Sequence, residues 1–179
     1  HMAVPWTWAF GTPYRWTTAV PAYFGATRNA RVVSWPGRVS GPGATRNQFG
    51  HVNDIAPTIL DAAGLALPRM VDGIAQKPFD GASMLTSITS AKAAEYHHTQ
   101  YFEVFGHRSI YHRGWMASAF HERLPWQMRA PANKAFSEDK WELFDLTKDS
   151  TQAADLSARY PGKLEEMKAL FESEARKNQ

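Results

Sequence analysis

The chain has 179 residues, 44% hydrophobic and 21% charged, which is enough apolar material for one domain or a domain and a fraction. Its net charge is only +3, with a pI near 9.2, and its basic residues are scattered, so a nucleic-acid partner is not expected. The absence of cysteine excludes a disulfide framework, a thiolate nucleophile and a thiolate metal site. No apolar run approaches the ~18 residues of a membrane span, and no basic-then-apolar leader pattern opens the chain; no membrane partner and a cytoplasmic location are the expectations.

In chain order, Ala3 to Asn29 is rich in proline, glycine and aromatics without a clean period and reads as loops with one short helix. "ARVVSWP" (Ala30 to Pro36) is a short β-branched run closed by proline, the pattern of a buried strand. A turn-rich loop, "GRVSGPGATRNQFG", follows. "HVNDIAPTILDAAGL" places Val52, Ile55, Ile59, Leu60 and Ala63 at helical spacing with Gly64 as its stop. Pro57 is tolerable only in a first turn, so the helix should begin near Asn53 or Asp54. The stretch from Gly64 to Leu85 reads as a long connection.

The second half changes character. "TQYFEVFG" and "HRSIYHRGWMASAF" alternate apolar and polar residues about a turn at Gly106–His107, as a β-hairpin does. "KWELFDLT" supplies a third strand with Trp141, Leu143 and Asp145 on one face. A final amphipathic helix starts near Pro161 and carries Leu164, Met167, Leu170 and Phe171 on one stripe. An antiparallel sheet covered by a C-terminal helix is the economical arrangement.

The order of these pieces, "FGTPYRWTTAVPAYFGATRNARVVSWPGRV", "NQFGHVNDIAPTILDAAGL", "DGIAQKPFDGASML", "TQYFEVFGHRSIYHRGWMA" and "KWELFDLTKD", resembles bacterial arylsulfatases of the formylglycine-dependent type, within the alkaline-phosphatase-like superfamily. The likeness runs from Phe10 to the final helix but concerns only the C-terminal third of such enzymes. It implies an α/β to α+β fold: residues 3–90 as a truncated remnant of the large sulfatase α/β domain, then residues 95–179 as a small antiparallel sheet packed by a C-terminal helix. In the complete enzymes a cysteine or serine in a C/S-x-P-x-R motif becomes formylglycine, whose hydrate attacks sulfur, and a calcium ion neutralises the sulfate oxygens. A sulfate ester needs both an activated oxygen nucleophile and surrounding cations.

Little of that machinery is present in this chain. The nearest serine, Ser40 in "SGPGATR", has Ala44 at the fifth position and Arg46 two residues late, and reads as a Gly-Pro turn. No cluster of carboxylates offers a hard-cation cage, so no cofactor and no metal are expected in this chain. Similar sulfatases carry "TPF-x-WTK", whose lysine touches the sulfate; here "TPYRWTT" puts Thr18 at that position, and a hydroxyl cannot replace an ammonium. Tyr23 stands where many relatives have a histidine, and Arg15 offers a cation that could compensate. Arg15, Thr18, Tyr23, Glu103 and His107 are therefore the candidate remnants of a substrate pocket, with Arg108 and His112 beside the last two.

His51 and Asp54, three residues apart, read as a helix-start hydrogen bond. His97 and His98, as neighbours on an extended chain, point to opposite faces and cannot share a metal. A metal-dependent enzyme built on Glu103, His107 and His112 would need at least one further ligand. An apolar strand without its usual neighbours is an association hazard, so the expected partner is a second copy or another chain covering that edge.

Overall fold

The computed structural model describes residues 3–39, 43–122, 124, 127 and 134–178. It separates into two units: His1–Ala30 with Thr99–Gln179, and Arg31–His98.

In the first unit, the helices α1 (Val4–Gly11) and α2 (Phe24–Thr27) precede a four-stranded antiparallel meander: β3 (Thr99–Val104), β4 (His107–His112), β5 (Trp115–Ala119) and β6 (Trp141–Asp145), in that order. The pairing Val104↔His107 sets the first turn at Phe105–Gly106, one residue earlier than the sequence pattern placed it. His112↔Trp115 sets a second turn, at Arg113–Gly114, inside what read as one strand. Both turns have two residues, and all four have positive φ (55° and 86°, then 46° and 82°), the mirror-image conformation that matches the twist of paired strands.

Both faces of this sheet are covered. On one, α5 (Pro161–Lys177) lays Met167 and Phe171 onto Ile110, Ala117 and Leu143, with Trp141, Leu164 and Leu170 at the margin. On the other, residues 16–23 pack Val20, Ala22 and Tyr23 against Phe144, with Trp16, Phe120 and Leu146 around them. Ser109 Oγ donates to Pro21 O at 2.7 Å and ties this loop to β4. Two-sided burial explains why Leu143 and Phe144 are both fully buried although they point to opposite faces. The link from β6 to α5 is held by carboxylates: Asp149 accepts from the backbone N–H of Thr151 and Ala154, and Asp155 from those of Leu143 and Ser157.

The second unit contains a 3₁₀ turn (Val52–Asp54), α3 (Ile55–Ala62), a short hairpin β1 (Met70–Val71) and β2 (Ile74–Ala75), and α4 (Leu85–Thr89). Pro57 lies in the first turn of α3, and Gly64, at φ 69°, ends it, both as its sequence requires. The hairpin turns at Asp72–Gly73, again with two positive φ angles, inside a stretch that read as plain connection.

One expectation is overturned here. Ala30 to Pro36 is not a buried strand: it forms no ladder, and Val32 is 92% exposed. A strand needs a neighbour to receive its N–H and C=O groups, and among the described residues no segment pairs with this one. The apolar stripe of α3 does not face inward either. Val52, Ile55 and Ile59 are exposed, while Asp54, Pro57 and Thr58 are buried, because the interior of this unit is assembled by hydrogen bonds to Asp54 and Thr58.

Candidate functional site

The loop from Gly11 to Asn29 is the segment most like a substrate wall, and its geometry is constrained. Trp16 and Ala19 have positive φ (64° and 84°), which costs a non-glycine residue of the order of 1 kcal/mol or more. Gly25 closes the loop by donating its N–H to Arg15 O at 2.9 Å. A Cβ on Gly25 would lie 2.0 Å from Trp16 O and 2.4 Å from Arg15 O, so no side chain fits there.

Arg15 and Tyr23 come together. The Arg15 guanidinium sits 4.6 Å above the Tyr23 ring, 3.6 Å from a Glu142 carboxylate oxygen, and donates to Gln152 O at 3.2 Å. Tyr23 donates its hydroxyl to Glu142 Oε2 in a short hydrogen bond. Burial, with the hydrogen bond to Glu142 and the charge of that carboxylate, drives the Tyr23 pKa well above the usual tyrosine value. Gln152, fully buried at φ 59°, accepts the Phe24 N–H at 2.7 Å and completes the clasp. Glu142 and Gln152 carry no local signal of this role; they lie more than a hundred residues from Tyr23 and are brought in by β6 and the turn after it.

The remaining candidates lie elsewhere. Thr18 is exposed. Glu103 accepts the Gly106 N–H at 2.8 Å, holding the first hairpin turn. His107 is buried, and its Nδ1 accepts the His121 N–H at 3.1 Å. Its ring stacks on Phe120 at 4.6 Å, Phe120 on Trp16 at 4.6 Å, and Trp16 on Tyr23 at 6.2 Å. Tyr23 and His107 thus belong to one aromatic column. His112 Nδ1 shares a 2.8 Å hydrogen bond with Thr99 Oγ1.

A buried ionic cluster that the sequence did not announce surrounds Asp139. Its carboxylate meets Arg108 at 2.6 Å, His121 Nδ1 at 2.9 Å and Lys134 at 3.3 Å, and Arg108 lies 4.8 Å from the Phe136 ring. With the carboxylate enclosed by three cationic or potentially cationic groups, the cluster cross-links β4 to the segment before β6.

In the second unit, Asp54 is fully buried and accepts from the His51 N–H (2.6 Å), the Ala82 N–H (2.8 Å) and His97 Nδ1 (2.7 Å). Burial alone would raise its pKa; the hydrogen bonds from His97, His51 and Ala82 outweigh that and hold it below the usual carboxylate value. Thr58 donates to Asp54 O and accepts the Met84 N–H. The expected helix-start bond between His51 and Asp54 is present, as a backbone N–H to carboxylate bond. His97 is buried and His98 exposed. Ser40, Gly41 and Pro42 lie outside the described residues. Both Asp54 oxygens are already taken, and among the described residues no group of three His, Asp or Glu could hold a metal.

Among solved structures, the chain is similar to BT4656, determined in complex with its substrate D-glucosamine-2-N,6-O-disulfate: 21% identity, 69% of this chain, 23% of that one, TM-score 0.44. It is also similar to BT33336S-sulf, from work on glycosaminoglycan metabolism by Bacteroides thetaiotaomicron: 16% identity, 67% of this chain, 24% of that one, TM-score 0.45. The chain therefore spans about a quarter of the length of these proteins. Residues 21–173 match the model of the N-sulphoglucosamine sulphohydrolase C-terminal family. That match takes in the clasp at Tyr23, the meander and nearly all of α5, and by it the chain belongs to the sulfatase C-terminal family.

Proposed function

We propose that this chain is the C-terminal part of a sulfuric-ester hydrolase that acts on aryl sulfates, and that by itself it does not turn over a sulfate ester. The observation that carries this reading is the position of Arg15. It lies three residues from Thr18, where similar sulfatases carry their lysine, and it is held by Glu142 and Gln152 O. A guanidinium neutralised by a carboxylate offers little to a sulfate oxygen. The nucleophile and the calcium ion of the complete enzyme belong, in this reading, to chain that precedes the residues present here.

The test is release of p-nitrophenol from p-nitrophenyl sulfate by the purified chain, with and without calcium, against a heat-treated control. No release above the control is expected. Turnover that tracks the folded protein would overturn the reading, and Ser40→Ala would then be the first variant to assay.

A second reading, a non-catalytic module that pairs with itself or with a sulfatase chain, is favoured by the exposure of Val32 and its neighbours in a β-branched segment that has no β partner among the described residues. The two are compatible. Neither involves nucleic acid or a membrane; among the described residues no helix is long and apolar enough to cross one.

A further inference from the structure

The first 53 residues contain five arginines and no lysine, aspartate or glutamate, while the remainder of the chain nets two negative charges. Such a segment is built to face anions, and its two arginines in the first unit are used differently. Arg15 is neutralised by Glu142. Arg28 is exposed, makes no side-chain hydrogen bond or ion pair among the described residues, and lies 4.9 Å from the Tyr14 ring centroid and 5.5 Å from that of Phe24.

The two rings are fixed independently of the arginine. They meet edge to face at 6.0 Å, the Tyr14 N–H donates to Gly11 O at 2.9 Å, and the Phe24 N–H to Gln152 at 2.7 Å. A ring holds a guanidinium without consuming its N–H donors, whereas a carboxylate partner would consume them. The side chain is held, its charge is uncompensated, and its donors form the fork that matches two oxygens of a tetrahedral anion.

We infer that Arg28, held by Tyr14 and Phe24, binds one tetrahedral oxyanion, a sulfate or phosphate group. The inference rests on the proposed function only for naming a sulfated saccharide as one source of that group; the recognition chemistry stands without it. Hydrolysis reports on a nucleophile and anion binding on Arg28, so either can fail alone.

The test follows the arginine Nε–H resonances of the ¹⁵N-labelled full chain while sodium sulfate replaces sodium chloride at constant ionic strength. Parallel titrations use inorganic phosphate, a sulfated disaccharide and its desulfated counterpart. A saturating shift at Arg28, with Arg15 unmoved, is expected. Equal responses to free sulfate and phosphate identify a general oxyanion site. Saturation at least tenfold lower in concentration with the sulfated sugar, and none with the desulfated one, identifies a ligand-borne sulfate. Tyr14→Leu should weaken binding by about two- to fivefold, the scale of a lost cation–π contact at an exposed site, with the far-UV circular dichroism unchanged. Shifts that do not saturate, that spread equally over the arginines, or that survive Tyr14→Leu undiminished would overturn the inference.

Discussion

Tyr23 is the residue around which the loop over the sheet is organised. Its ring lies under Arg15, its hydroxyl is tied to Glu142, and its side chain belongs to the cluster with Phe144. Burial and the neighbouring carboxylate both oppose the phenolate, so the folded-state pKa exceeds that of a tyrosine in the unfolded chain. The folded state then keeps a proton that the unfolded state loses above a pH of about 10. By linkage, this contribution to stability is complete below that pH and is lost as pH rises toward the folded-state value. Burial also raises Tyr96 and Tyr101, so in a phenolate absorbance titration the step that appears only with alkaline unfolding should lose the amplitude of one tyrosine in Tyr23→Phe. An undiminished step in the variant would assign it to the other tyrosines. Nothing in the sequence near Tyr23 points to Glu142; the pair exists only because residues 11–29 fold back over a sheet formed by the second half of the chain.

At the scale of elements, the contrast is between α5 and α3. Both show apolar residues at helical spacing, and both are helices. The stripe of α5 was legible because the sheet it covers is encoded nearby: Met167 and Phe171 meet Ile110, Ala117 and Leu143, and Phe171 packs against the rings of Tyr101 and Trp141, at 4.9 and 5.4 Å. Phe171→Ala should therefore cost about 3–5 kcal/mol, the range for an aromatic deleted from a core, read as a lower midpoint in urea with little change in slope. A loss below about 1 kcal/mol would mean that α5 is only loosely docked. The stripe of α3 is left exposed, because periodicity marks which residues could be buried together, not whether anything covers them. The same holds for Ala30 to Pro36, whose β-branched run describes a strand while its hydrogen-bonding neighbours are missing from the described residues. Turn chemistry fared better: the expected hairpin is present one residue out of register, and the Arg113–Gly114 turn was missed because a run of alternating residues continued through it.

At the scale of the molecule, the second unit leaves much apolar side chain in water. Val32, Val52, Ile59, Leu65, Met70 and Ile74 are each more than half exposed, in a unit whose interior is largely a hydrogen-bonded network on Asp54. Scattered exposed apolar residues are ordinary, but an exposed β-branched segment that joins no ladder among the described residues is a template for another strand. The two members of the pairing reading, self-association and capture of a sulfatase chain, begin from the same segment, and self-association can be measured on the purified chain. Light scattering coupled to size exclusion should show a mass that rises above 20.1 kDa over the micromolar range. Val32→Lys should return it to the monomer, because a charge inside the new ladder would have to be desolvated, while α5 and the meander stay intact by far-UV circular dichroism. A monodisperse monomer in the parent chain would remove self-pairing. Association that persists in Val32→Lys would move the contact away from residues 30–36 and toward the exposed stripe of α3, where Ile59→Lys would then be the decisive variant.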